Sequence, residues 1–142
     1  MQLSKLDIAT IQLDRAIVLF LDATDFVSAI TLAGAAEEIL GKLAENIGKK
    51  NALNELIDAS KAMEEQMYGE SEGKRSEYVS LANYYRDRLK HINDGEDLHF
   101  SVDHEAASLI SRALDNYYLL DEEPTKVMRE FEKLNFFGKQ NA

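Results

Sequence analysis

The chain has 142 residues, a length that fits one ordinary domain, and its 45% apolar content is enough for a hydrophobic core, which disfavours a disordered chain. It contains no cysteine, so disulfides, thiol nucleophiles and cysteine-ligated zinc sites are excluded as well. The formal net charge of −10 repels nucleic acids and anionic membranes at long range, which disfavours a general nucleic-acid binder but leaves room for a local basic site.

The sequence also lacks the signals of membrane insertion and export. Its longest apolar run covers only the six residues 16–21, whereas a membrane span needs about 20. The first residues do not show the basic-then-apolar pattern of a signal peptide. We therefore expect a cytoplasmic protein without membrane contact.

Apolar side chains recur at helical spacing along most of the chain, and no stretch of strand length alternates apolar and polar residues. This pattern, with its short connections, predicts an all-α fold, an antiparallel helical bundle of five to six helices. We expect one domain over residues 1–142, with a core over about 4–136 and a frayed tail at 137–142. In chain order, the predicted helices cover residues 4–22, 26–47, 52–68, 76–92, 101 or 103 to 120, and 124 onward.

Polar residues and one proline mark the predicted helix starts. Thr24 or Asp25 is the candidate N-cap of the second helix, Asn51 caps the third and Ser76 caps the fourth. Pro124 suits the first residue of the sixth helix, where its missing N–H has no consequence.

A basic segment, Arg86-Asp87-Arg88-Leu89-Lys90-His91, lies late in the fourth predicted helix. Arg86 and His91 frame an Arg-x4-His pattern, which resembles the signature of the HEPN superfamily. These helical domains often act as RNases or as nucleotide-binding partners of nucleotidyltransferases. The resemblance spans about residues 11–120 and implies a HEPN-like bundle with Arg86, Asp87 and His91 as catalytic residues and Arg88 and Lys90 as supporting cations. The family more often has Asn where this chain has Asp87.

Such a motif is chemically suited to RNA cleavage without a metal. The imidazole of His91 can take the 2′-hydroxyl proton near neutral pH, and the planar guanidinium of Arg86 can stabilise the charge that develops on the phosphate. Asp87 shares a helix face with His91 and could orient the imidazole. Because residues five apart on a helix point roughly 140° away from each other, Arg86 and His91 of one chain do not converge. HEPN RNases place the motifs of two protomers along one cleft, so the resemblance implies a homodimer.

A homodimer is also predicted from the apolar surface. The second and fourth predicted helices carry more apolar side chains than one small core needs. Closed two-fold dimers are the commonest oligomers.

The second predicted helix combines a stretch without bulk, 33–36, with the acid pair Glu37 and Glu38. The small stretch predicts the close approach of a neighbouring helix. Glu37 falls on or beside the apolar stripe, where it would be partly buried and need a partner. In HEPN-like proteins a polar residue of this helix can lie near the Arg/His pair, so both acids are candidate supporting residues. The simpler interpretation is a pair of surface acids.

His91, His99 and His104 lie among several acids, where a metal site is conceivable. No pair of them has the His-x3-His spacing that places two ligands on one helical face. The sequence therefore predicts neither a metal nor a cofactor, and a metal-binding bundle is an alternative that rests on these histidines alone.

Phosphate-binding loops, dinucleotide fingerprints and Gly-x-Ser-x-Gly elbows are absent from the sequence. The leading hypothesis is a HEPN-like, metal-independent RNase that acts through a dimeric Arg/His site, as in toxin–antitoxin or defence systems. The alternative is a non-catalytic helical binding module for a cognate protein or a nucleotide. An open, shared cleft at Arg86 and His91 favours catalysis, whereas a salt-bridged or buried arrangement favours the module.

Overall fold

The computed structural model describes residues 1–91, 95 and 97–138. This part of the chain contains helices and no β-strand, which confirms the all-α prediction. Among the described residues, no helix combines the length and apolarity that crossing a membrane requires. The helices are α1 (Lys5–Leu21), α2 (Phe26–Asn46), α3 (Ala52–Tyr68), α4 (Arg75–Ala82), α5 (Tyr84–Lys90), α6 (Val102–Leu119) and α7 (Lys126–Leu134).

The core forms around α2, which packs extensively against both α1 and α6. Most buried residues of α2 are alanine or glycine at helical spacing, so its neighbours approach closely. Aliphatic side chains from the flanking helices fill the remaining space. The largest fully buried apolar side chains are Leu13, Ile17, Ile30, Leu40, Leu109, Ile110 and Met128.

The helices α3 and α4 form a hairpin that lies mostly outside this core. Ile57 is the one residue of α3 that is buried, and α4 buries none. The two helices pack against each other, and the hydroxyl of Tyr78 on α4 donates to the carboxylate of Glu64 on α3. The hairpin therefore keeps several large apolar side chains exposed.

Two predicted helix caps are confirmed. The side chain of Asp25 accepts the backbone N–H of Ser28 at the start of α2, at 2.9 Å. The side chain of Asn51 accepts the backbone N–H of Asn54 at the start of α3, also at 2.9 Å. Each polar side chain replaces a partner that the first helical turn cannot supply.

Two other predicted helix starts are wrong. Ser76 is not a cap, because α4 begins one residue earlier, at Arg75. There the carboxylate of Glu77 accepts the backbone N–H of Lys74 at 3.3 Å. Pro124 is not the first residue of α7. The hydroxyl of Thr125 accepts the N–H three residues on, at 3.4 Å, and this bond sets the start of the helix after it.

The predicted fourth helix is in fact two helices. α4 ends at Ala82 and α5 starts at Tyr84, with Asn83 buried between them. Arg112 of α6 donates to the carbonyl of Ala82 at 3.3 Å and to the side chain of Asn83 at 3.0 Å. These hydrogen bonds supply partners for the polar groups at the junction between α4 and α5. The described residues thus form seven helices rather than the five to six predicted, and the predicted helix end at residue 92 lies outside them.

The C-terminal end of the described chain packs against α1. The ring of Phe136 contacts that of Phe20 edge-on, with centroids 5.7 Å apart. Contacts with the core therefore extend beyond α7 as far as Phe136. Residues 139–142 of the predicted tail lie outside the described residues.

Candidate functional site

The candidate site is centred on a buried carboxylate of α2. Glu37 is only 3% exposed, and its two oxygens are bound by two arginines. Arg86 Nη1 lies 3.3 Å from Glu37 Oε2, and Arg112 Nη2 lies 3.1 Å from Glu37 Oε1. The side chains of Arg86 and Arg112 are themselves only 13% and 12% exposed. A carboxylate away from water requires such partners, because an unpaired buried charge is strongly unfavourable.

The two acids of the pair differ: one is buried and the other is exposed, so each of the two interpretations applies to one of them. Glu37 is the buried, partnered residue that its place beside the apolar stripe allows. Glu38 is exposed, as a surface acid should be.

Arg86 reaches Glu37 by lying across Gly34 of α2. A Cβ atom at Gly34 would overlap Cδ of Arg86 and would lie 2.8 Å from its Cγ, well inside normal contact. The small stretch 33–36 thus admits the aliphatic part of an arginine side chain from α5. The glycine is the sequence feature that lets the guanidinium turn inward.

We expect Gly34→Ala to destabilise the protein, although alanine is the better helix former. Helix propensity alone would stabilise by about 1 kcal/mol, but displacing Arg86 from Glu37 costs about 3 kcal/mol, so we expect a net loss of about 2 kcal/mol. Urea denaturation measures this difference. In an Arg86→Ala background the same substitution should stabilise the protein, and a stabilising effect in the wild-type background would contradict the packing of Arg86 over Gly34.

Asparagine side chains connect this ion-pair site to α3. Asn116 of α6 is fully buried; its Nδ2 donates to the carbonyl of Glu37 at 3.2 Å and its Oδ1 accepts the N–H of Ala52 at 2.7 Å. The Nδ2 of Asn51 donates to the carbonyl of Gly41 at 3.3 Å. These hydrogen bonds therefore link α2, α6 and the start of α3 beside the ion-pair site.

The motif residues Arg86, Asp87 and His91 face different surroundings. The carboxylate of Asp87 accepts both Nε and Nη2 of Arg86, each at 3.3 Å. His91 follows the last residue of α5, and its backbone N–H donates to the carbonyl of Asp87 at 3.1 Å, while its side chain is exposed. Within the described part of the chain, no hydrogen bond or ion pair joins the Asp87 carboxylate to the His91 ring.

Among the contacts of the described residues, the two supporting cations of the motif do not join this network. The guanidinium of Arg88 lies over the ring of Tyr84, 4.1 Å from its centroid, as in a cation–π contact. Lys90 is exposed at the end of α5. The structure thus brings together Arg86, Asp87 and Glu37 of the predicted site residues, and leaves Glu38, Lys90 and His91 at the surface.

A cavity of about 500 Å³ opens beside Arg86. Its charged lining consists of Glu37, Glu38, Glu45, Lys42 and Arg86, that is, three carboxylates against two cations. Such a lining disfavours a phosphate group, because the acids repel it and the nearest guanidinium is already paired.

In the part of the chain that the structure describes, the three histidines are not gathered into one metal-binding group. Among the described residues, no group of three His, Asp or Glu side chains is placed to hold a metal ion. His104 packs edge-on against Phe136, with centroids 5.0 Å apart. Asp94 and Glu96, two acids of the predicted cluster, lie outside the described residues.

Sequence reasoning missed three polar residues of the site, namely Asn83, Arg112 and Asn116. The available signal was on α6, where Asn116 follows the apolar residue Leu109 by seven positions and therefore falls on the same buried face. Arg112 precedes it by one turn. Burial raises the pKa of Glu105 on this helix, and the guanidinium of Arg112 opposes that rise.

The fold and the site together define an all-α protein whose motif arginine belongs to an internal ion-pair network. Comparison of the chain with protein-family models, with curated proteins and with solved structures found no match.

Proposed function

We propose that the protein is a non-catalytic helical binding module that acts through contact with another protein. The observation that carries the proposal is the ion pair between Arg86 and the buried Glu37. A guanidinium that stabilises a reacting phosphate must face the substrate and strengthen its contacts as charge develops there. The guanidinium of Arg86 instead faces α2 and is bound by two carboxylates, those of Glu37 and Asp87.

A protein partner is favoured over a nucleotide. The sequence has no phosphate-binding loop, and the cavity beside Arg86 carries more carboxylates than cations. In contrast, the hairpin of α3 and α4 and the adjoining start of α5 expose several large apolar side chains, and exposed apolar surface suits contact with another protein. The exposed side chains are Leu56, Met63, Met67, Tyr68, Leu81 and Tyr84.

The RNase hypothesis is the second candidate, and the exposed ring of His91 is the observation in its favour. For catalysis, Arg86 would have to leave Glu37 and enter a cleft shared by two protomers. The HEPN resemblance is compatible with both candidates, since that superfamily includes RNases and binding partners.

The proposal is tested by incubating the wild-type protein with a mixed RNA pool, with and without a chelator. We expect no cleavage under either condition. RNA cleavage that His91→Ala abolishes, while the variant keeps its thermal melt, would contradict the module and support the RNase.

A second readout is the stability of Arg86→Lys. A lysine ammonium is a point charge that cannot bind Glu37 and Asp87 as the planar fork does, so we expect a loss of about 2 kcal/mol in urea denaturation. Arg15→Lys is the matched control, since Arg15 is exposed on α1 and should change stability by no more than about 0.5 kcal/mol. Equal stability of both variants would mean that Arg86 has no structural role.

A further inference from the structure

One face of α3 is uncharged and largely exposed. At roughly 100° per residue, six positions of this helix fall within roughly 60° of one line along its axis. Leu56, Met63 and Met67 on this face are 41%, 61% and 65% exposed. We call this face the α3 stripe; it consists of Ala52, Leu56, Ala59, Ser60, Met63 and Met67.

The hairpin partner α4 does not cover the α3 stripe. It packs on the neighbouring face of α3, where Tyr78 contacts Glu64 and Lys61. That face also holds Ile57, the buried residue of α3. The first turn of the stripe lies beside α6, whereas Met63 and Met67 further along it remain exposed in the described part of the chain.

The stripe has the spacing of a two-fold interface. The midpoint between Leu56 and Met63 falls between Ala59 and Ser60, and so does the midpoint between Ala52 and Met67. Two copies of α3 packed antiparallel about that point place Leu56 against the other chain's Met63 and Ala52 against its Met67. The small residues at the centre allow the two helices to approach closely.

A groove at one end of the stripe suits the methionine at the other end. Ala52 and Leu56 line a groove of about 630 Å³, which Leu119 and Phe137 also border. The acids Glu55 and Asp115 line it as well, together with the cations Lys50 and Arg112. In the antiparallel register, Met67 of the other chain comes opposite Ala52 and beside this groove. Methionine is flexible and fills irregular apolar space well.

The charge of the chain also favours this face for self-association. Each chain carries a formal net charge of −10, so two copies repel each other over most of their surface. Contact between them is favoured only where acids are absent, and all six residues of the stripe are uncharged.

We propose that the α3 stripe is the interface of a homodimer, in which two copies of α3 pack antiparallel about a two-fold axis that passes between Ala59 and Ser60. This inference rests on the proposed role in protein contact and assigns the partner, a second copy of this chain. The interface proposed here lies on α3 and not on the second predicted helix, because most of the apolar residues of α2 pack within the protomer.

Sedimentation of the full chain at micromolar concentration tests the interface. We expect a dimer for the wild type and a monomer with an unchanged thermal melt for Met63→Lys, because Met63 is exposed within one protomer. Ala62→Lys, with the new charge on another exposed face of α3, should remain a dimer. Added salt should strengthen association by screening the repulsion between chains. A wild-type monomer, a dimer that survives Met63→Lys, or dissociation by salt would each overturn the proposal.

Cross-linking tests the register, and the absence of cysteine from the chain makes it specific. In helices that approach closely, a thiol introduced by Ser60→Cys lies next to its symmetry mate, within reach of a disulfide. Under mild oxidation we expect Ser60→Cys to form covalent dimers and Ala62→Cys to remain monomeric on a denaturing gel. A wild-type dimer without cross-linking of Ser60→Cys would overturn the register. Neither experiment involves RNA, so its failure is distinguishable from failure of the proposed function.

Discussion

Replacing Glu37 with alanine is expected to lower the free energy of unfolding by about 3–5 kcal/mol, the largest effect of a single substitution in this site. The substitution would leave the guanidiniums of Arg86 and Arg112 nearly buried without the carboxylate that they share. Urea denaturation measures the loss, and we expect the melting temperature to fall by roughly 10 °C or more.

The matched control for this substitution is Glu38→Ala. Glu38 is the next residue of the same helix, has the same side chain and is exposed. Its replacement should change stability by no more than about 0.5 kcal/mol. Equal effects of the two substitutions would show that Glu37 is not the buried centre of the network.

Asn116→Ala is expected to cost about 2–3 kcal/mol, because it removes a buried side chain that hydrogen-bonds two helices. The N–H of Ala52 at the start of α3 loses its partner, and the carbonyl of Glu37 on α2 loses a hydrogen bond that it accepts in addition to the helical one. Ile57 is the one buried residue of α3, so the loss of this tie should affect α3 most. We expect amide hydrogen exchange to speed up more in the α3–α4 hairpin than in α1 and α2.

Asn46→Ala is the control for this second prediction, since Asn46 is exposed at the end of α2. We expect its stability and its exchange pattern to match the wild type. A loss of protection spread evenly over all helices in Asn116→Ala would contradict the role of Asn116 as the tie between α3 and α6.

The helices that depend on local signals were predicted well from the sequence. The predicted range 52–68 coincides with α3, because Asn51 caps one end and Gly69, with a positive φ of 83°, closes the other. The break at Asn83 was not predicted, since neither proline nor glycine marks it. It depends on hydrogen bonds from Arg112, which is 29 residues away in the sequence.

The candidate site was predicted in part. The HEPN resemblance implied that Glu37 can lie near Arg86, and the two side chains are in contact. It could not tell whether the cation of Arg86 faces solvent or the core, because that depends on the room above Gly34 and on a second arginine from α6. The Arg-x4-His pattern concerns α5 alone, whereas the direction of the Arg86 side chain depends on contacts with α2 and α6.

A similar limit applies to the apolar surface. Helical spacing shows which apolar residues of α2 and α3 share a face of their helix, but not which of these faces pack against another helix of the same chain. Ala33 of α2 is buried by its neighbours, whereas Met63 of α3 remains exposed. Packing between helices decides this outcome, and single-helix patterns do not contain it.

The most direct test of the central claim, that Arg86 is an internal structural cation, is a double-mutant cycle between Arg86 and Glu37. Urea denaturation of the wild type, Glu37→Gln, Arg86→Met and the double variant gives the coupling free energy of the pair. We predict a coupling of about 2 kcal/mol, in the range measured for residues that share a buried network. Additive effects, with a coupling below about 0.5 kcal/mol, would show that the two side chains do not interact and would contradict the structural role of Arg86.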